Sequence, residues 1–235
     1  MVPHDVITVY VVDEQYEQYQ EELKKNGFTH INISKGPKGL KNMRNHITSI
    51  LPDGQCYISI DDDVDSLYTL ENIEDEKYPL TEIEPKKFIP WIIEAFTECK
   101  HNGSHIFGIY PVKNGFFMKD LQPITYDLRF IVGAFWGCIN CKGLCISIDE
   151  KEDFERTLLC YERDKLVIRY NRITLKTSYY KTKGGMQEGN DSMEKRKRAA
   201  TDSCKYLLER FPLYCKFYGG KKNGVDEIRL INRKV

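Results

Sequence analysis

Residues 6–63 alternate three apolar runs with two amphipathic segments, and that rhythm limits the fold more than any other feature. Val6–Val12 is short and rich in β-branched residues, which predicts a buried strand. Glu14–Asn26 carries Tyr16, Tyr19 and Leu23 on one helical face and is closed by Gly27. Phe28–Ile33 reads as a second strand. A turn at Lys35-Gly36-Pro37-Lys38-Gly39 follows. Leu40–Leu51 then places Leu40, Met43, Ile47 and Ile50 at helical spacing, until Pro52-Asp53-Gly54 breaks it. Cys56–Ile60 is the third strand. This order, with short links, predicts an α/β chain built on a parallel sheet.

The third strand runs straight into Asp61-Asp62-Asp63. Ligands of open α/β sheets bind beyond the carboxyl ends of strands, where this triplet is expected. Clustered carboxylates resist joint ionisation unless a cation joins them. A hard divalent cation with oxygen ligands, shared with phosphates, suits such a cluster; a solvated acidic loop is the plainer reading. The basic turn before Leu40 opens a helix whose N-terminus can hold an anion. Arg44, about one turn in, offers a planar donor fork. Cationic donors and carboxylates flanking one cleft suit a nucleotide diphosphate.

Further along, Pro85–Cys99, Asp149–Arg163 and Ser192–Arg210 read as helices. Ile106–Tyr110, Phe130–Phe135, Leu144–Ile148, Val167–Leu175 and Glu227–Asn232 read as strands. Thr177–Asp191 is a basic, Gly-rich loop. Two lysines, Lys181 and Lys183, precede Gly184-Gly185 and suit a hinged lid over a leaving diphosphate. With no linker in view, residues 1–235 are expected to form one domain. Residues 1–64 would be its nucleotide-binding half and residues 65–235 its acceptor-binding and catalytic half. The 35 basic and 35 acidic residues balance, so charge gives no global case for nucleic acid. Lys195-Arg196-Lys197-Arg198 is a local basic cluster, read first as exposed charge. No 18-residue apolar run and no signal-peptide pattern is present, and the eight cysteines are expected to be reduced thiols of a cytoplasmic protein. Cys138, Cys141 and Cys145 lack a fourth nearby zinc ligand. His101 and His105 straddle an expected helix end.

The stretch Gly39-Leu40-Lys41-Asn42-Met43-Arg44-Asn45, followed by Tyr57-Ile58-Ser59-Ile60-Asp61-Asp62-Asp63, resembles the first half of GT-A-type glycosyltransferases. That family has a helix bearing Arg-Asn and a strand ending in a D-x-D motif. The resemblance implies a Rossmann-like three-layer sandwich with a mixed, mostly parallel central sheet. It implies a nucleotide-sugar donor, usually a UDP-sugar, with Mn²⁺ or Mg²⁺ bridging its diphosphate. On that mapping Val12 and Asp13 line the base pocket and Arg44 meets the uracil or diphosphate. Asp61 lies near the ribose, Asp61 and Asp63 serve the metal, and Asp62 shares either task. Lys151-Glu152-Asp153-Phe154-Glu155-Arg156-Thr157-Leu158 is similar to the family's acidic motif at a helix start. Asp153, and after it Glu152, would be the catalytic base of an inverting enzyme. Phe130–Gly137 resembles the strand facing donor sugar and acceptor, with Gly133 and Trp136 as sugar contacts; a core role is the commoner fate of such a Trp.

A narrower likeness covers Asp153–Leu158, Val167-Ile168-Arg169-Tyr170, Thr177, Lys183-Gly184-Gly185-Met186 and Arg210-Phe211-Pro212. These resemble glycosyltransferases of phages and large DNA viruses, and those associated with TET/JBP base-modification systems. The implied acceptor is a viral-type glycoconjugate or a hydroxymethylated DNA base, and the implied setting is host cytoplasm. Many family members supply a late His to the metal, whereas no His follows His105 here. Two rival readings stand beside this one. Ile58–Val64 also fits the strand end of haloacid-dehalogenase-type phosphatases, with Asp61 as nucleophile. A non-catalytic nucleotide-sugar-binding module is the other.

Overall fold

Helix closure sets where the second strand can begin. In the computed structural model, which describes residues 6–178, 193–220 and 225–231, strand β1 (Thr8–Val12) is followed by a short 3-10 turn and helix α1 (Tyr16–Lys25). Gly27 sits at φ 79°, with its N–H on the Lys24 carbonyl, while the Phe28 N–H reaches the Leu23 carbonyl. This left-handed closure engages the Phe28 backbone in ending the helix. Strand β2 therefore starts at Asn32 and runs to Gly36, four residues later than the pattern predicts. As expected of a helix-linked pair, β1 and β2 are parallel, with Val12 opposite Gly36. Helix α2 (Leu40–Ile50) and strand β3 (Cys56–Ile60) follow as expected.

The remaining strands build an open seven-stranded mixed sheet. Its members are β3, β4 (Val64–Thr69), β5 (Thr81–Glu82), β6 (Ile106–Tyr110), β7 (Ile124–Thr125), β8 (Phe135–Ile139) and β9 (Ile168–Thr177). The order is β3-β8-β6-β9-β4-β5, with β7 also on β9. Only β6 and β9 pair in parallel among its described strands; every other pairing is antiparallel. The expectation of a mostly parallel sheet is thus corrected. The reason lies between β6 and β8, where the chain has only helix α4 (Gly115–Met118) and the two-residue β7. A parallel return needs a crossover of a dozen or more residues, usually a helix. With no helix there long enough to cover a sheet face, β8 comes back antiparallel, between β3 and β6.

Helix α3 (Pro85–Asn102) covers one face of the sheet, and α5 (Glu152–Asp164) with α6 (Met193–Arg210) covers the other. Ile92, Ala95 and Cys99 of α3 meet Phe107, Ile109, Phe135 and Ile168. Leu158 and Cys160 of α5 and Leu207 of α6 meet Ile106, Trp136 and Cys138. A hairpin of β10 (Cys215–Gly220) and β11 (Asp226–Leu230) adds Cys215 and Ile228 to the second core. Strand β9 is long because it serves two neighbours: residues 168–170 run beside β6, and residues 173–177 beside β4. That overhang meets β4 as it leaves the aspartate triplet. No helix among the described residues is long and apolar enough to cross a membrane.

Two expected strands differ. Residues 130–134 are irregular, and the strand starts at Phe135, because Gly133 and Ala134 turn the chain. Leu144–Ile148 is an extended strap without ladder pairing, held by side chains instead. Gly137 in β8 lies so close to Phe107 that an added Cβ would fall within that ring's contact distance. Phe107 is fully buried among Trp91, Phe96 and Tyr170. Gly137→Ala should therefore lower unfolding stability by about 1–3 kcal/mol in a urea titration.

Candidate functional site

Strand alternation puts Tyr57, Ser59 and Asp61 on one face of β3. Helix α2 crosses that face and lowers Arg44 onto it. The guanidinium donates to Ser59 Oγ and forms an ion pair with Asp61 Oδ1. It also donates to the Gly133 carbonyl at 3.3 Å, joining positions 89 residues apart. Burial opposes the Arg44 charge, but Asp61 and then Glu152 outweigh it and hold its pKa above the usual value. The Arg44 side chain is only 11% exposed.

The three aspartates diverge from one tight turn, in which the Val64 N–H meets the Asp61 carbonyl at 3.2 Å. Asp61 faces Arg44. Asp62 accepts from the Tyr19 hydroxyl at 3.2 Å. Asp63 Oδ1 is buried and has no hydrogen-bond partner among the described residues. Burial first, then the charges of Asp61 and Asp62, raises the Asp63 pKa. The Asp63 carbonyl accepts from the Ser178 N–H at 2.8 Å, which ties the end of β9 to the triplet. Among the described residues no group of three or more His, Cys, Asp or Glu side chains is poised to hold a metal. The triplet is therefore no ready-made cage. The unpaired oxygen of Asp63 and the oxygen of Asp61 not held by Arg44 are what it can offer a cation.

The acidic start of α5 arrives at the same place. A Cβ on Gly133 would lie 3.0 Å from Glu152 Oε1 and 3.6 Å from Asp153 Oδ2. Gly133 thus lacks a side chain so that this acidic pair can approach its backbone. Asp153 Oδ1 accepts from the Phe154 N–H at 2.9 Å. Glu152 is buried and accepts from Arg156 Nη2 at 2.5 Å. Dense surroundings, and next the Glu152 charge, push the Asp153 pKa up to about 7. Asp153 nevertheless keeps a partly solvent-accessible side chain. Such a carboxyl group can take up and release a proton near neutrality.

A strap brings α5 to this edge. Asn45, next to Arg44, donates to the Ile146 carbonyl at 2.8 Å and accepts its N–H at 3.0 Å. Buried Glu155 accepts the N–H groups of Ser147 and Ile148 and the Tyr206 hydroxyl. Asp149, expected within the helix, lies before it, and its carboxylate accepts the Lys41 N–H at 2.9 Å. The anion at the α2 N-terminus, where the sequence offers a place for one, is here the chain's own Asp149 carboxylate.

Other candidates fall variously. Val12 ends β1, Asp13 follows it and pairs with Lys35 on the surface, and Tyr19 of the next helix reaches Asp62. Trp136 is 3% exposed, with Arg156 stacked 3.9 Å from its ring centre; it belongs to the core and cannot serve as a sugar platform. Lys181 and Lys183 lie outside the described residues. Cys138 points into the core, Cys141 contacts Arg163, and Cys145 lies against the Lys142 carbonyl. His105 bonds Asp164 at 3.0 Å. Sequence reasoning passed over Ser59, Asn45 and Arg156. Ser59 was signalled as the one polar residue within an apolar strand, and Arg156 by its i,i+4 spacing from Glu152.

Comparison with family models, curated proteins and solved structures found no match to this chain.

The environment of Asp153 has a consequence for stability. Its folded pKa, about 7, exceeds the ordinary 3.8, so the folded state binds this proton more tightly. Its contribution is greatest below the ordinary value and is lost as pH rises to about 7. Asp153→Asn should remove that loss. The variant's stability relative to the parent should climb through this window and level off above it, as read by chemical denaturation at several pH values.

Proposed function

We propose that this chain is a metal-dependent glycosyltransferase of the GT-A type, moving a sugar from a nucleotide-sugar donor, a UDP-sugar, to an acceptor hydroxyl. The observation that carries the reading is the meeting of Asp61, Arg44, Gly133 and the Glu152-Asp153 pair at one sheet edge. The D-x-D stretch and the acidic helix start, distant in sequence, supply the two functions such a reaction needs. The parallel β1–β2 pair, and the shared direction of β3 and β6 on either side of antiparallel β8, are compatible with a nucleotide-binding half joined to a mixed half.

Asp63 fits a cation because its buried oxygen has no donor among the described residues and its pKa is raised, first by burial and then by the neighbouring carboxylates. Asp63 and Asp61 would hold Mn²⁺ or Mg²⁺, which neutralises a donor diphosphate when bound. Val12 and Asp13 flank the place for the base. Asp153 takes the proton from the acceptor hydroxyl as that oxygen attacks the anomeric carbon and the bond to the diphosphate breaks. Glu152, paired with Arg156, keeps Asp153 basic enough for this step. A base on the acceptor side corresponds to inversion. The acceptor class is a glycan or a hydroxymethylated DNA base.

UDP release from a panel of UDP-sugars with Mn²⁺ tests the assignment. Asp63→Ala should abolish metal-dependent release. Asp153→Asn should slow transfer by about 10²–10⁴-fold, the usual worth of a general base, while donor affinity measured by calorimetry stays unchanged. Equal loss of donor binding and transfer would remove Asp153 from the base role, and no binding of any nucleotide sugar would overturn the reading.

A further inference from the structure

Behind Arg44, between helix α2, the sheet and helix α5, lies a partly open pocket with about 20 Å³ of internal space, bordered by Arg44, Tyr57, Trp136, Cys138, Asn140 and Arg156 among others. That is room for one water-sized body. The cavity has an unusual lining. Arg44 Nε, Arg156 Nε and Nη1, and Trp136 Nε1 are all buried N–H donors without a hydrogen-bond partner among the described residues. Among the buried side-chain atoms of the described lining residues, Asn140 Oδ1 is the one acceptor without a partner. The Arg156 side chain is 9% exposed and Trp136 3%. Both guanidinium groups lie over the Trp136 ring, at 3.9 Å and 5.7 Å from its centre.

We propose that this cavity is a binding site for a monatomic inorganic anion, chloride or a heavier halide. Four unpaired donors against one unpaired acceptor decide the class of ligand. A single water accepts two hydrogen bonds and would leave two of the donors unmet. A halide carries no proton of its own and can accept from every donor that reaches the pocket. A polyatomic anion such as phosphate exceeds the space. Each guanidinium already faces one carboxylate, Asp61 or Glu152, so the lining is close to neutral. That favours a weakly hydrated monovalent ion over a multivalent one. Cys138 and Tyr57, both held protonated by burial, bring no competing negative charge. A bound halide would brace the two arginines that carry Asp61 and Glu152.

The inference does not depend on sugar transfer, and its test does not read activity. Melting of the full chain is followed while sodium gluconate is replaced by sodium chloride or bromide at constant ionic strength. A saturable rise in Tm with halide is expected, because a ligand of the native state stabilises in proportion to its occupancy. Trp136→Phe keeps a ring but removes one donor, and should shift the halide midpoint several-fold upward. Crystals of the unaltered chain soaked in bromide should show an anomalous peak between Arg44 and Arg156. Indistinguishable melting in halide and gluconate, or a bromide map with no peak in the cavity, would overturn the proposal in favour of water.

Discussion

The buried ion pair between Arg44 and Asp61 is the constraint on which the site depends. A guanidinium taken out of water must find its counter-charge and acceptors nearby, and losing one partner of such a pair costs about 3–5 kcal/mol. Arg44 meets the demand with Asp61, Ser59 and the Gly133 carbonyl. Those groups come from the third strand and from the turn before β8. Satisfying one charge thus holds three segments together at the carboxyl edge of the sheet. Helix α2 cannot slide on β3 without breaking that arrangement.

From Arg44 the charges alternate inward: Asp61, Arg44, Glu152, Arg156, with Trp136 beneath both arginines. Environment then divides identical chemistry into different tasks. Glu152 is committed to Arg156. Glu155 is committed to the strap and Tyr206. Asp153 meets backbone N–H groups and another carboxylate, so its proton is held near neutrality. The aspartate triplet divides in the same way: Asp61 meets Arg44, Asp62 meets Tyr19, and Asp63 Oδ1 has no donor among the described residues. The strap of residues 144–148 makes the meeting possible. Strand β8 ends at the far edge, where Asn140 bonds the carbonyls of Thr48, Leu51 and Pro52. The chain must climb back beside α2 before α5 can begin, and Asn45 and Asp149 guide it.

Several features were legible in the sequence because they are local. The period of apolar residues located α1, α2, α3 and α6 to within a few positions, and α3 ends at Asn102, between His101 and His105 as expected. Arg44 and the triplet stood out because charges beside an apolar strand are rare. Other features were hidden because they rest on partners remote in the chain. Phe28 resembles the first residue of a strand until its N–H is seen closing α1. Leu144–Ile148 has the composition of a strand, yet its backbone partners are Asn45 and Glu155 side chains. Trp136 could have stood at a surface or in the core; Arg156, Tyr57 and Leu158 around it settle the matter.

The sequence by itself determined an α/β chain, the identity of its helices, and the charged residues available at a strand end and a helix start. Those follow from periodicity and from the scarcity of clustered like charges, which need no knowledge of neighbours. Tertiary structure alone decided strand direction, because that depends on whether a connection carries the chain back across the sheet. It alone decided which carboxylate is paired, which caps a helix and which keeps a proton. A carboxyl group's behaviour is set by the donors and charges within a few ångströms of it, and here those come from segments far along the chain.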